Sequence, residues 1–278
     1  MSKFQFLFLF MISFYSYSQE ILDSERIRCT YTLQYQIDST NAENIREELM
    51  VLSIGKKNVS KFESYNKKYS DSLMKAIIES NKGNKAVFLK EASEVIRTSP
   101  KTKFHYSIYK NYPRGKITIV DKIPGNFFLY EEEMDKINWN IQSDKETISG
   151  YECQKATGYF AGRNYIAWFT NEIPINDGPY KFSGLPGLIV KISDIENHYV
   201  FTLNSLQKIN NSTHIHFISP ELKTIKTSKK EVYKAYRKFR ENPVQGYAEM
   251  GFSAGPEQDR KVKERFKREN NPIELIID

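Results

Sequence analysis

The chain has 278 residues, 40% of them hydrophobic, with 18 Tyr and 18 Phe, enough for the core of one large domain or two small ones. Forty-one Lys and Arg against 34 Asp and Glu leave a net charge of +7, a balance that suits anionic partners. Neither a P-loop nor a dinucleotide fingerprint occurs, so no nucleotide or other cofactor is expected.

Residues 1–18 open with Met1-Ser2-Lys3, continue through the apolar run Phe6-Leu7-Phe8-Leu9-Phe10-Met11-Ile12 and end on small residues at Ser16 and Ser18. Charged, apolar and small residues in that order predict a cleavable signal peptide, removed after Ser18. A spanning helix needs about 20 apolar residues, and Ser13, Ser16, Ser18 and Gln19 interrupt this run. Cys29 follows Arg28 and stands well past the cleavage point, so a lipidated N-terminus is not expected. The predicted address is the periplasm, or a secreted or outer-membrane-associated location, where nucleic acid is not an expected partner.

From Gln19 onward, alternation of apolar and polar residues dominates. Every odd position from Ile27 to Ile37 is apolar, the mark of a half-buried strand. Further strands are expected over 49–54, 104–109, 116–122, 126–131, 136–141, 151–160, 164–170, 188–192 and 199–209. Short connections such as Tyr112-Pro113-Arg114-Gly115 and Ile123-Pro124-Gly125-Asn126 make the whole an antiparallel meander. Helices are expected over 70–80 and 228–240, the second opened by the capping box Ser228 and Glu231. A third, over 257–269, has only Val262 and Phe266 as a narrow apolar stripe and reads as peripheral. The expected fold is mainly β (α+β): a curved antiparallel sheet, bent toward a half-barrel, with a few flanking helices. Residues 19–278 form one domain, and from about 243 onward a polar, helical appendage.

The densest motif block runs from Gly150 to Asp194. It contains Gly150-Tyr151-Glu152-Cys153-Gln154-Lys155-Ala156, Ala167-Trp168-Phe169-Thr170, Gly178-Pro179-Tyr180-Lys181-Phe182 and Gly184-Leu185-Pro186-Gly187-Leu188-Ile189. At these residues the chain resembles the GLPGLI family, exported proteins of Gram-negative bacteria named for that hexapeptide. Asn270-Asn271-Pro272-Ile273-Glu274-Leu275 is similar to the family's usual ending, while Tyr180 stands where a tryptophan is also common. The resemblance implies an envelope or secreted location and supplies no agreed activity or catalytic residue.

Physically, Leu185-Pro186-Gly187-Leu188 suits a type II turn, with proline presetting φ and Gly187 taking the positive φ, feeding a core strand from Leu188. The same glycines would also serve a binding lip built from Trp168, Gly178, Pro179, Tyr180, Gly184, Leu185, Pro186 and Gly187. Cys29 and Cys153 either form a disulfide, closing a long loop for about 4–5 kcal/mol, or stand as two separate buried thiols.

Enzyme chemistry has few carriers. Gly251-Phe252-Ser253-Ala254-Gly255 matches G-x-S-x-G, but Pro256 interrupts the helix start and every histidine precedes Ser253, the wrong order for that fold. Lys155 shares a strand face with Cys153 and would lower its thiol pKa if close. His214 and His216 share a face and offer two ligands where a metal site needs three or four. The reading is thus a non-enzymatic exported module presenting an aromatic surface or cavity to an envelope protein, peptide or lipid. Its basic C-terminal helices suit an anionic membrane surface. The alternative is an envelope hydrolase using Cys153 or a His214/His216 metal site.

Overall fold

The computed structural model describes residues 19–277 apart from 82, 135, 136, 211, 220, 221 and 254; the segment read as a signal peptide, 1–18, lies outside the described residues. β1 (Ile21–Gln36) is the axis of the fold, because its alternation holds in three dimensions: Cys29, Tyr31 and Leu33 are wholly buried while Thr30, Thr32 and Gln34 reach solvent. On one side of it follow β2 (Ile45–Gly55), β3 (Ser60–Ser64), β4 (Ser107–Lys110), β5 (Lys116–Ile123) and β6 (Asn126–Glu133). The chain then starts again at the far edge with β7 (Asn140–Ile148) and returns through β8 (Tyr151–Phe160), β9 (Arg163–Thr170), β10 (Leu188–Asp194) and β11 (Tyr199–Lys208), which closes against β1. Two meanders thus meet at one strand. Short β12 (His214–His216) pairs with the start of β1, and β13 (Thr224–Lys226) runs parallel to β6. The sheet is therefore mixed rather than purely antiparallel, and it does not close into a barrel.

Among the described residues five helices flank it: α1 (Tyr65–Ser80), α2 (Lys85–Thr98), α3 (Lys229–Glu241), α4 (Pro243–Glu249) and α5 (Pro256–Arg268). α1 starts five residues earlier than its apolar stripe suggests because Ser64 caps it, accepting from the Lys67 backbone N–H at 3.2 Å. The strand expected over 136–141 is displaced to β7, an exposed edge whose charges at Asp144, Lys145 and Glu146 hide any alternation. Trp139, just before it, folds inward and donates from Nε1 to the Ser183 carbonyl at 2.8 Å.

The face expected to be an open aromatic concavity is filled. Phe62 meets Phe201, Phe201 meets Phe182, and Phe182 meets Tyr165, Phe160 and Tyr180, with ring centroids 4.7–6.4 Å apart. Edge-to-face and tilted contacts of this kind add to the area each ring buries. Tyr180 and Phe182 arrive on the loop between β9 and β10, which folds over the sheet instead of standing away from it. Surface depressions of about 450 and 310 Å³ lie on the β8–β9 wing, the first bordered by Tyr165 and Ile195 and the second by Phe169.

The turn expected at Leu185-Pro186-Gly187-Leu188 is not type II. The positive φ falls on Gly184, at +102°, and not on Gly187. Gly187 is required for a different reason: a Cβ there would sit 1.9 Å from the Thr170 carbonyl oxygen, so the chain passes directly against β9.

Candidate functional site

α3 takes its orientation from its apolar stripe. Val232 is buried, and Ala235 and Phe239 pack on the core from the same side. At 100° per residue, Lys230, Lys234, Arg237 and Lys238 fall on the opposite side, and all four are exposed. Ser228 caps the helix as the capping box predicts, accepting from the Glu231 N–H at 3.3 Å. Phe239 then joins the three C-terminal helices: its ring lies 5.3 Å from Tyr247 on α4 and 5.5 Å from Phe266 on α5. Gly246 leaves room for that ring, since a Cβ would be 2.5 Å from it. α5 carries Glu257 and Asp259 in its first turn and Arg265, Lys267 and Arg268 in its last, the arrangement its dipole favours.

Lys229 to Glu269 hold twelve lysines and arginines against seven acidic residues, a net +5 of the chain's +7. Lys234, Arg260, Lys261 and Arg265 have carboxylate partners within the same helix or its cap. Among the described residues, exposed Lys230, Arg237, Lys238, Lys263, Lys267 and Arg268 have no ion pair within 4 Å. The arm is a basic surface with free charge.

What holds the arm is a buried ion cluster. Lys229, the first residue of α3, lies 3.1 Å from Glu132 Oε1 and 2.9 Å from Glu274 Oε2. Lys181 Nζ lies 2.8 Å from Glu132 Oε2 and 2.6 Å from Glu274 Oε1, and the Tyr180 hydroxyl donates to Glu274 Oε1 at 2.5 Å. Burial by itself would raise the Glu274 pKa. The ammoniums of Lys181 and Lys229, with hydrogen bonds from Lys181 and Tyr180, outweigh it and hold the carboxyl down at about 2. For Lys181, burial pulls downward, yet Glu274 and Glu132 raise it above the ordinary lysine value. Tyr180 reaches the cluster from a backbone with φ of +53°, a conformation costly for a side-chain-bearing residue and here held by its hydrogen bond.

The segment after α5 is fastened separately. Arg163 Nη2 donates to Asn271 Oδ1 at 2.6 Å and to the Pro272 carbonyl at 2.8 Å, its Nε to the Ile273 carbonyl at 3.1 Å, and its Nη1 to Asp194 at 2.9 Å. Asn271 Nδ2 donates to the Gln36 carbonyl at 2.7 Å, and the Tyr199 hydroxyl donates to the Asn271 carbonyl at 2.6 Å. Asn271 and Glu274 are buried. The expected appendage from about 243 is therefore corrected at its end: α4 and α5 lie outside, but the terminal strap re-enters the core.

The residues proposed as a binding lip are mostly interior. Gly178, Pro179, Tyr180, Leu185 and Gly187 are buried, Trp168 is half-buried on β9, and only Gly184 and Pro186 are exposed. Gly178 lies against Ile189, and its carbonyl accepts from the buried Lys110 Nζ at 2.5 Å. Lys181, Asn271 and Glu274 stand in the motifs quoted above without a role, and Glu132 and Arg163 outside any motif. Lys181 and Glu274 carry a signal, an ionisable residue set among apolar ones in Tyr180-Lys181-Phe182 and Ile273-Glu274-Leu275, while Glu132, Arg163 and Asn271 carry none.

Cys29 and Cys153 are both free and wholly buried, which corrects the disulfide. β1 and β8 are separated by β11, β10 and β9, four steps of about 4.8 Å along the sheet, roughly 19 Å. A disulfide needs its Cα atoms within about 7 Å. Burial pushes the Cys153 thiol up to about 11 and the Cys29 thiol up to about 12, so neither offers a thiolate nucleophile at neutral pH. His214 and His216 do share a face of β12, with ring centroids 6.1 Å apart, but no third ligand joins them among the described residues. Asp194, Glu196 and His198 are close enough to share a metal ion. There the Arg163 guanidinium already lies 2.9 Å from Asp194 and 3.2 Å from His198 Nδ1, occupying the place of a cation.

A family described as "Protein of unknown function (Porph_ging)" matches residues 161–191, the stretch that supplies Arg163, Tyr180 and Lys181 to the two anchors. No curated protein matches the sequence. Among solved structures, PNGF-II in space groups P21 and C2 is similar, with TM-scores of 0.50 and 0.51 at 13% identity. The alignment covers 78% of this chain and 34% of PNGF-II, so this chain spans about a third of that protein's length. At this identity the likeness is one of β-rich fold.

Proposed function

We propose that this protein is an exported, non-enzymatic interaction module of the GLPGLI type that docks on an anionic lipid surface of the cell envelope through α3 and α5. The observation that carries the reading is the placement of charge: most of the chain's net positive charge lies on one helical arm, with six exposed bases that have no ion pair within 4 Å among the described residues. Basic residues near an anionic bilayer contribute about 1 kcal/mol each. Six would give on the order of 6 kcal/mol, the scale of a weak and reversible attachment. The residues 1–18 and the hexapeptide Gly184 to Ile189, which lies inside the matched stretch, support export and the family reading. The raised thiol pKa values and the filled interior favour a surface role over catalysis.

The test is sedimentation of the protein lacking residues 1–18 with vesicles rich in phosphatidylglycerol and with vesicles of phosphatidylcholine alone. Partition to the first and not to the second is expected. Equal binding to both, or retention by an anionic polysaccharide without vesicle binding, contradicts the reading. N-terminal sequencing of the exported protein is expected to begin at Gln19.

A further inference from the structure

We infer that the α1–α2 hairpin is a second contact of the same docking face, inserting apolar side chains into the anionic bilayer to which the arm adsorbs by charge; the inference rests on the lipid-surface reading above. Sixteen large apolar side chains are exposed among the described residues, and six of them, Tyr65, Tyr69, Ile78, Val87, Leu89 and Ile96, belong to this one hairpin. α1 buries no residue completely and α2 buries only Ala92. Leu89 and Ile96 are 55% and 64% exposed. Seven helical residues set them on one side, about 10 Å apart, beside the inward stripe of Phe88, Ala92 and Val95. They stand at the margin between that stripe and the outer side of Lys90, Ser93 and Arg97, where a helix that only covered the sheet would carry polar residues in place of large aliphatic ones.

Charge identifies the occupant. The stretch from Tyr65 to Thr98 has seven lysines and arginines against four acidic residues, a net +3. Lys75, Lys85 and Lys90 are exposed and have no ion pair within 4 Å among the described residues. Exposed aliphatic side chains flanked by free lysines, with tyrosines beside them, are the composition of helices that lie in the headgroup region. The segment that leaves the hairpin meets the end of the arm. Lys103, just past the α2 exit, pairs with Glu269 at the end of α5, and Asn270 accepts from the Ser39 N–H at 2.9 Å. The root of the apolar hairpin and the end of the basic arm thus share one edge of the molecule.

The experiment places a polarity-sensitive fluorophore on Leu89→Cys in the folded protein, where Cys29 and Cys153 are buried, with Lys263→Cys as the control. With phosphatidylglycerol vesicles, a blue shift and shielding from an aqueous quencher are expected at position 89, and a smaller change at 263. The double variant Leu89→Asp and Ile96→Asp should keep low-salt vesicle binding and lose the part that survives high salt. An unchanged probe at 89 in protein that sediments with vesicles overturns the inference and leaves the charge reading standing. Absence of sedimentation overturns both. A blue shift without lipid that grows with protein concentration assigns the face to a second copy of the chain and overturns the inference as well.

Discussion

The two helical regions are mounted on the sheet by the same device used to different depths. In each, a lysine of the first helical turn reaches a buried glutamate: Lys67 lies 3.6 Å from Glu63 at the root of the hairpin, and Lys229 lies 2.9 Å from Glu274 at the root of the arm. At the hairpin, Lys61 and Lys67 retain 20% and 17% exposure, as Lys229 does at 18%, and Ser64 and Thr102 add hydrogen bonds to Glu48 while Lys103 pairs with Glu269. At the arm, Lys181 is 2% exposed and Glu274 fully enclosed, a second carboxylate is present, and the far end is tied again through Asn271. The difference teaches that the arm is fastened at both ends by enclosed side chains, while the hairpin is fastened at its root and leaves an apolar flank open to solvent.

Breaking the deeper mount should cost most. Glu274→Ala strands Lys181 and Lys229 beside a single carboxylate, and a loss of about 3–5 kcal/mol in urea unfolding is expected. Amide exchange should accelerate in α3 and the strap and stay unchanged in α1 and α2. Glu63→Gln at the shallower mount should cost less, about 1–3 kcal/mol, because Lys61 and Lys67 can turn to water. Equal losses at the two sites would remove the distinction.

Acid sharpens it further. Glu274 and Glu63 both titrate at about 2 in the fold, below the ordinary 4.5, so the unfolded chain takes up protons first. Their contribution is complete above about pH 4.5 and is lost as pH falls toward 2. A stability titration should therefore steepen below pH 4.5, and in Glu274→Ala the slope should be reduced. Smallest of all is the expected effect of replacing Lys230, Lys234, Arg237 and Lys238 with Gln: within about 0.5 kcal/mol of stability, since none of the four is buried.

The sheet was legible because half-buried strands write their burial at period two, as β1 does from Cys29 to Tyr35. α2 was not legible because Leu89 and Ile96 stand at the margin of the stripe of Phe88, Ala92 and Val95 and, with Val87 on the other margin, blur it. The hexapeptide was legible as a turn into a core strand but not as a close pass: Gly187 is dictated by the Thr170 carbonyl, a contact between strands that no local pattern records. The arm's basic face could be read from helical spacing. Its mount could not, because Lys181, Glu132, Glu274 and Lys229 come from four separate stretches and become a site only when the strap returns to the core.

The most direct measurement of the central claim is vesicle partition against salt for the wild type and for the four-residue Gln variant. From about 0.1 M to 1 M the screening length falls from about 10 Å to 3 Å. Wild-type affinity for phosphatidylglycerol vesicles should fall steeply over that range, and the variant should bind on the order of 1,000-fold more weakly at the low-salt end, at about 1 kcal/mol for each of the four charges removed. Binding that is indifferent to salt, and equal for the two proteins, would contradict the account.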